Sequence, residues 1–362
     1  MPFLISVRES IRINSNPISD AAFAKYFFEV WDKLSNDALQ NPGTYRPGYN
    51  QFLTLLAFHV FFSEQVDVAI FETNSGGTHD ATNIVKPNVV GITRLGIDHV
   101  STLGSTIESI AWHKSGIFKY QVPAFSSIQV PAATTVLKKR ATEKLSQLNF
   151  VNVDDKLPAD VFKPVVQREN ASLALALSSA FLQENAPQED CEITAQDISR
   201  AIELFTWPGR FQQINNANCQ WFLDSAHNRM SLSVVGKWFA ETTMETKSHA
   251  SERDGRDLVK EIARCLQENG VQMQHVIFCA MEESKDLNHN HRFEVSEEMR
   301  DLYAATWRTV DSTAQISLKP SIKEALSLAT TIADRENGMR TLVTGSSYLV
   351  GAALYLLKSR KH

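Results

Sequence analysis

Strand-like and helix-like segments alternate along almost the whole chain, and this alternation constrains the fold more than any other feature of the sequence. Helical periodicity of apolar residues separates or flanks the strand-like runs. The helical segments cover 19–39, 52–62, 107–118, 167–182, 228–240 and 321–333, and the strand-like runs cover 66–72, 89–93, 122–126, 221–224, 275–280 and 341–344. Strands separated by helices are typical of βαβ units, so the sequence predicts an α/β protein with a mainly parallel sheet.

The length favours two domains. A chain of 362 residues exceeds the roughly 150 residues of an average domain. The pattern breaks at Trp207-Pro-Gly-Arg210, after which a second series of strands and helices begins. We therefore predict a boundary near Thr206, with one domain over residues 1–206 and a second over 207–362.

Composition narrows the class of protein. The formal net charge is −5, whereas a nucleic-acid-binding protein needs clustered basic charge. The four cysteines show no CxxC spacing, which argues against a zinc knuckle or a disulfide framework and suits a reducing compartment. The longest apolar stretch, 52–62, is too short for a membrane span. We expect a cytoplasmic monomer, with a mitochondrial form only if a targeting segment lies upstream.

The densest group of chemically useful residues runs from Glu72 to Lys114. Glu72 ends a predicted buried strand, and Asp98-His99 follows the next one. In open α/β sheets ligands bind at the carboxyl ends of strands, so Glu72 and His99 could converge on one Mg²⁺. The alternative is that Glu72 caps a helix, that His99 fills a loop and that Lys114 is a solvated surface lysine.

A similar arrangement recurs in the second half. Asp224-Ser-Ala-His227 places an acid at a predicted strand end and a histidine at a helix start, and Thr344-Gly-Ser346 also lies between a strand and a helix. Backbone N–H groups at such helix starts can hold a carboxylate or phosphate. The alternatives are an N-cap aspartate and an ordinary βα turn.

Seven segments, taken in order, resemble the folylpolyglutamate synthases of the Mur-ligase superfamily, whose patterns include RERIRING, EVGIGGxxDxTN, LGxDHxxxLG, IAxxKxGIFK, WPGR, DGAH and TGS. The corresponding segments here begin at Arg8, Glu72, Leu95, Ile110, Trp207, Asp224 and Thr344. The likeness spans almost the whole chain. It implies an incomplete Mur-ligase-type central ATPase domain with a mainly parallel sheet, followed by a smaller Rossmann-like glutamate-ligase domain.

The resemblance implies ATP-dependent ligation of L-glutamate to the γ-carboxyl of a folate through an acyl phosphate. Carried over by motif position, Glu72 and His99 would hold Mg²⁺, and a monovalent cation such as K⁺ is also possible in the family. Lys114 would be a carbamylated catalytic lysine. The remaining implied site residues are Asn170, Arg210 and Asp224 for ATP, His227 as a catalytic residue on the glutamate side, and Ser346 for glutamate.

One family motif is not found in the sequence. Met1-Pro-Phe-Leu4 aligns with the family's SPHL, and the GxxGKGS phosphate loop that precedes it in the family is not among the 362 residues. We expect either that this loop lies upstream or that the chain is a catalytically impaired paralogue acting as a binding protein. An amide ligase for another carboxylic acid is a further alternative.

Overall fold

The computed structural model describes residues 3–41, 43, 46–186, 191–216, 218–243, 256–280 and 296–359, and the backbone of 248–251. These residues form two compact units that are discontinuous in sequence. Unit 1 consists of Met1–Phe3, Val7–Asp155 and Glu169–Thr194, and unit 2 of Leu4–Ser6, Lys156–Arg168 and Ala195–His362.

Unit 1 begins with a short antiparallel hairpin, β1 (Arg12–Ile13) with β2 (Asn16–Pro17), and a pair of helices. The two helices are α1 (Asp20–Gln40) and α2 (Tyr49–Ser63), and they confirm the helices predicted over 19–39 and 52–62. The Ser19 hydroxyl accepts from the backbone N–H of Ala22 and so caps α1. Apolar side chains from both helices and the hairpin form one core.

The sheet of unit 1 is parallel and has the order β3-β4-β5 among the described strands. Apolar side chains of β3, β4, α4 and α5 form its core. The elements are β3 (Val90–Ile92), α3 (Val100–Leu103), α4 (Ile107–Lys114), β4 (Ala124–Ser127), α5 (Pro131–Glu143), β5 (Leu148–Val151) and α6 (Val165–Asn185). Parallel strands joined through helices confirm the predicted fold class.

The strand predicted over 66–72 is wrong, because within the described part of the chain these residues pair with no other strand. The side chains of Val68 and Ile70 are 50% and 87% exposed. A strand depends on hydrogen bonds to a neighbour, and apolar alternation alone cannot supply them. Glu72 therefore follows a segment without regular secondary structure and is itself exposed.

The described strands of unit 2 form a six-stranded sheet with the order β10-β9-β8-β11-β7-β6, and among them only β6 is antiparallel to its neighbour. Large apolar cores cover its two faces. The elements are α7 (Ala195–Leu204), β6 (Gln212–Asn216), β7 (Cys219–Leu223), α8 (Arg229–Thr243), β8 (Ser248–Ser251), α9 (Arg256–Glu268), β9 (Met273–Cys279), α10 (Glu297–Arg308), β10 (Gln315–Lys319), α11 (Ile322–Arg335), β11 (Met339–Val343) and α12 (Ser347–Ser359).

The described helices of both units can be compared with a membrane-spanning helix in length and in hydropathy. Across the described ranges, none of them has the length and hydropathy that a membrane crossing requires.

Candidate active site

In unit 1 the segment 73–83 forms a compact polar loop held together by Asp80. The Oδ2 atom of Asp80 accepts from the backbone N–H of Asn74 at 2.9 Å. Its Oδ1 atom accepts from the backbone N–H and the hydroxyl of Thr82, at 2.9 and 2.6 Å. Gly76 has a φ of +81°, a left-handed backbone that favours glycine. The loop that follows Glu72 is thus fixed by its own side chains.

Lys114 ends α4 and faces this loop from a half-buried position. Removal from water lowers the pKa of its amine, and the carboxylates of Asp98, Asp80 and Glu72 oppose that shift. The structure therefore places two of the sequence-predicted residues, Glu72 and Lys114, within electrostatic range of each other. It adds two carboxylates that the sequence analysis had not assigned to the site.

His99 caps the start of α3 and adopts an uncommon backbone conformation. Its φ is +49°, and its backbone N–H donates to Oδ1 of Asp98 at 2.7 Å. The prediction that Glu72 and His99 lie at the tips of adjacent strands is wrong for the described residues, since no strand ends at Glu72. A helix cap beside Asp98 positions His99 instead, and leaves its imidazole exposed.

The acidic side chains of unit 1 fit one kind of metal site. Within the described ranges, no three His, Cys, Asp or Glu side chains converge closely enough to hold a metal ion. However, Mg²⁺ commonly uses one or two protein carboxylates and completes its shell with water and phosphate oxygens. The Glu72 and Asp98 carboxylates both act on Lys114, and His99 lies next to Asp98 and donates its backbone N–H to that carboxylate. The residues present fit a water-rich Mg²⁺ site and do not fit a closed cage of protein ligands.

Asn170 lies on the surface of unit 1, in the first half of α6. The residue before it, Glu169, pairs with Arg94 at 3.3 Å. Because Arg94 follows β3, this ion pair links the end of a sheet strand to the helix that carries Asn170.

In unit 2, Asp224 is a buried carboxylate immediately beyond β7. It is 2% exposed, and its oxygens accept from the backbone N–H groups of Phe211 (2.9 Å) and Ala226 (2.8 Å). Burial raises the pKa of Asp224 to about 6, although the Arg210 charge, the two N–H groups and the His227 charge each act to lower it. The structure thus brings Arg210, Asp224 and His227 together.

The Trp207-Pro-Gly-Arg210 turn packs directly against this aspartate. The carbonyl oxygen of Gly209 accepts from the backbone N–H of Ser225 at 3.0 Å. A cleft of about 880 Å³ opens beside the turn. Arg210 contributes to its wall together with Phe162, Trp207, Phe211 and Trp238, so the Arg210 charge lies among aromatic side chains.

His227 has a fixed ring orientation. Its Nδ1 atom lies 3.0 Å from the carbonyl oxygen of Ser225. A carbonyl can only accept, so Nδ1 carries the proton, and in the neutral ring Nε2 has the lone pair. The carboxyl end of β7 therefore presents an imidazole nitrogen able to take up a proton.

Thr344 and Ser346 follow β11, which lies beside β7 in the sheet. The Ser346 hydroxyl accepts from the backbone N–H of Leu349 at 3.1 Å and so caps the first turn of α12. The Thr344 hydroxyl is fully buried and has no hydrogen-bond partner among the described side chains and backbone. Buried hydroxyl groups without a hydrogen-bond partner are uncommon in folded proteins.

One organising residue, Gln129, had not been identified from the sequence. Its side-chain oxygen accepts from the backbone N–H of Leu95 at 2.9 Å, and its Nε2 donates to the Thr93 carbonyl and the Ser126 hydroxyl, at 2.9 and 3.0 Å. Gln129 thus ties together the carboxyl ends of β3 and β4. A lone glutamine after a strand has no spacing signal that sequence reasoning could use.

Known proteins resemble this chain over almost its full length. A family profile described as "Dihydrofolate synthetase, C-terminal domain" matches residues 208–356. A folylpolyglutamate synthase from Neurospora crassa is 39% identical over 99% of this chain and 74% of its own length. A probable folylpolyglutamate synthase from Schizosaccharomyces pombe is 33% identical over 98% of this chain and 75% of its own length.

Solved structures show the same fold at lower sequence identity. A Mycobacterium tuberculosis folylpolyglutamate synthase complexed with ADP and AMPPCP superposes with a TM-score of 0.80, at 23% identity over 98% of this chain and 83% of that chain. An E. coli FolC in complex with DHPP and ADP gives a TM-score of 0.77 at 22% identity, over 100% of this chain and 81% of that chain. Sequence identity above 30% across nearly all of this chain places it in the folylpolyglutamate synthase family.

Proposed function

We propose that this chain ligates L-glutamate to the γ-carboxyl group of a folate with consumption of ATP. Membership of the family supports this activity. The observation that carries it structurally is the buried Asp224 carboxylate, held by two backbone N–H groups next to Arg210 and beside an aromatic cleft. Such an arrangement suits a ligand that combines a heterocycle, hydroxyl groups and phosphates.

The proposed reaction has two steps, phosphorylation of the folate carboxylate and attack by the glutamate amine. An oxygen of the folate γ-carboxylate attacks the γ-phosphorus of ATP, and ADP leaves. The amine of glutamate, after losing a proton, then attacks the acyl carbon, and inorganic phosphate leaves with the oxygen that formed the acyl phosphate. Phosphoryl transfer of this kind depends mainly on positioning and on neutralisation of charge.

The residues of unit 2 supply groups for both steps. We assign Arg210 and Asp224 to ATP, because a guanidinium pairs with phosphate oxygens and an ionised carboxylate accepts from ribose hydroxyls. His227 is assigned to the proton of the incoming amine, because its Nε2 has the lone pair. Ser346 is assigned to the glutamate carboxylate at the start of α12.

The residues of unit 1 supply charge neutralisation. We assign Glu72 and His99 to Mg²⁺, which when bound neutralises charge on the phosphates. Lys114 is assigned as a carbamylated catalytic residue. Its lowered pKa favours the neutral amine that reacts with CO₂. Asn170 is assigned to the nucleotide because its carboxamide lies at the surface of α6.

The test is product analysis of the purified chain. We expect incubation with ATP, Mg²⁺, a folate and L-glutamate to give ADP and a folate extended by one glutamyl residue, detected by mass spectrometry. His227→Gln should remove most of this activity. The matched control His59→Gln, at a histidine that pairs with Glu29 on the α1–α2 hairpin, should retain it. ADP release without an extended folate, or no turnover of any substrate, would contradict the proposal.

A second candidate is glutamate ligation to a pteroate that has no glutamate yet. The family profile that matches residues 208–356 is described as a dihydrofolate synthetase domain. The same assay separates the two candidates when dihydropteroate and a folate monoglutamate are supplied in parallel, because each product has its own mass.

We also propose that the chain is a cytoplasmic monomer. No disulfide bond involves Cys191, Cys219, Cys265 or Cys279, which suits a reducing compartment. Cell fractionation and light scattering of the purified chain test these two points. A membrane-enclosed location or a stable dimer would contradict them.

A further inference from the structure

The loop 73–83 and the end of α4 are joined through backbone atoms on both sides of Lys114. The backbone N–H and the hydroxyl of Thr78 both donate to the carbonyl oxygen of His113, at 3.0 and 3.1 Å. The Nδ2 atom of Asn83 donates to the carbonyl oxygen of Gly116 at 3.1 Å. The two carbonyls that receive these bonds lie immediately before Lys114 and two residues after it.

Glycines allow this contact to be very close. A Cβ added to Gly116 would lie 2.5 Å from both the N and Cα atoms of Thr78. A Cβ added to Gly77 would lie 2.7 Å from the carbonyl oxygen of Lys114 itself. Real Cβ atoms do not approach backbone this closely, so the loop rests on the backbone around Lys114 with no room for a side chain between them.

A second lysine, Lys119, binds the last residue of the loop. The Nζ atom of Lys119 donates to the carbonyl oxygen of Asn83 at 2.6 Å. Burial lowers the pKa of the Lys119 amine, so this lysine is partly withdrawn from water in order to make the bond. Asn83 therefore receives a bond from Lys119 on its backbone carbonyl, and its Nδ2 donates both to Gly116 and, at 3.4 Å, to the carbonyl oxygen of Thr78 within the loop.

We propose that Asn83 and Lys119 are positioning residues that fix the loop 73–83 against Lys114. We call this pair the loop latch. It sets the position of Glu72 relative to the lysine amine, and it rests on the proposed function in that Glu72 and Lys114 belong to the proposed Mg²⁺ and catalytic site. Outer residues that hold metal ligands in place commonly change metal affinity by about 10- to 100-fold when they are removed.

The test measures Mn²⁺ binding to the full chain by electron paramagnetic resonance, with no nucleotide or folate present. We expect Asn83→Ala and Lys119→Met each to weaken Mn²⁺ binding by about 10-fold. Asn83→Asp, which places a negative charge against the Gly116 carbonyl, should weaken it at least as much. The matched controls are Asn185→Ala, which removes a similar bond to the carbonyl of Phe181, and Lys138→Met on α5, and both should leave Mn²⁺ affinity unchanged.

A second readout separates positioning from folding and from the proposed function. The readout is the rate at which acetic anhydride acetylates Lys114, followed by mass spectrometry. This rate should be at least about 5-fold higher in the latch variants than in the control variants, compared at equal melting temperature, because a released loop exposes the amine. Failure of the parent chain to bind Mn²⁺ would overturn the metal assignment alone. Latch variants with parental Lys114 reactivity and parental Mn²⁺ affinity would overturn the latch, whether or not the chain is a ligase.

Discussion

The ionisation of Asp224 offers the sharpest test of the site in unit 2. Burial raises the pKa of Asp224 from 3.8 to about 6 in the folded protein. The folded state therefore takes up a proton at a higher pH than the unfolded chain does, and ionised Asp224 destabilises the folded state. Because one pKa unit corresponds to about 1.4 kcal/mol, the full effect is about 3 kcal/mol, of which about 2 kcal/mol develops between pH 4 and pH 7.

The perturbation is Asp224→Asn, which removes the titrating group and keeps its shape. Unfolding of the parent and the variant should be measured in urea at several values of pH. The free-energy difference between them should shift by about 2 kcal/mol in favour of the variant as the pH rises from 4 to 7. Loss of one acceptor for the Phe211 or Ala226 N–H adds a constant penalty to the variant and does not alter this shift.

Carbon-13 NMR of labelled aspartate gives the same quantity directly. One carboxyl resonance, absent from the Asp224→Asn variant, should titrate near pH 6. A free-energy difference that stays constant between pH 4 and 7, or a carboxyl that titrates near 4, would refute the reasoning that burial dominates the two N–H bonds and the Arg210 charge.

Three further substitutions give separate expectations. Gly116→Ala should lower the free energy of unfolding by about 3 kcal/mol, measured in urea, because its Cβ would overlap the backbone of Thr78. Parental stability would contradict the close packing. Lys114→Arg keeps a positive charge but cannot be carbamylated, so kcat should fall about 100-fold or more, and parental kcat would exclude that role. Ser346→Ala should raise the KM for glutamate and lower stability by about 1 kcal/mol, because the cap of α12 is lost. An unchanged KM would remove Ser346 from the glutamate site.

Much of the fold follows from the sequence because local periodicity and burial agree. The helices α1, α2, α6 and α11 each lie within a few residues of their predicted bounds. Prediction from the sequence failed where an element depends on a partner that is distant in the chain. The run 66–72 has the composition of a strand but pairs with no other strand in the described region. Conversely, the strands β6 and β10 were not predicted from the sequence. Both contain polar residues, and they become strands because their backbones form hydrogen bonds to β7 and β9.

The candidate site could be anticipated by residue type more than by geometry. The acid and histidine of Asp224-Ser-Ala-His227 lie beyond β7 as predicted, since strand ends followed by helix starts are readable in sequence. The roles of Asp98 and Asn83 could not be read, because they depend on which backbone carbonyls and amines the folded loops place nearby.

The central claim is that ATP activates the γ-carboxyl of a folate as an acyl phosphate, and oxygen labelling tests it most directly. A folate with ¹⁸O in its γ-carboxylate is incubated with the chain, ATP, Mg²⁺ and L-glutamate, and the released phosphate is analysed by mass spectrometry. We predict that each phosphate formed with the glutamylated product contains one ¹⁸O atom from the carboxylate. Phosphate without label, alongside an extended folate, would contradict the acyl phosphate.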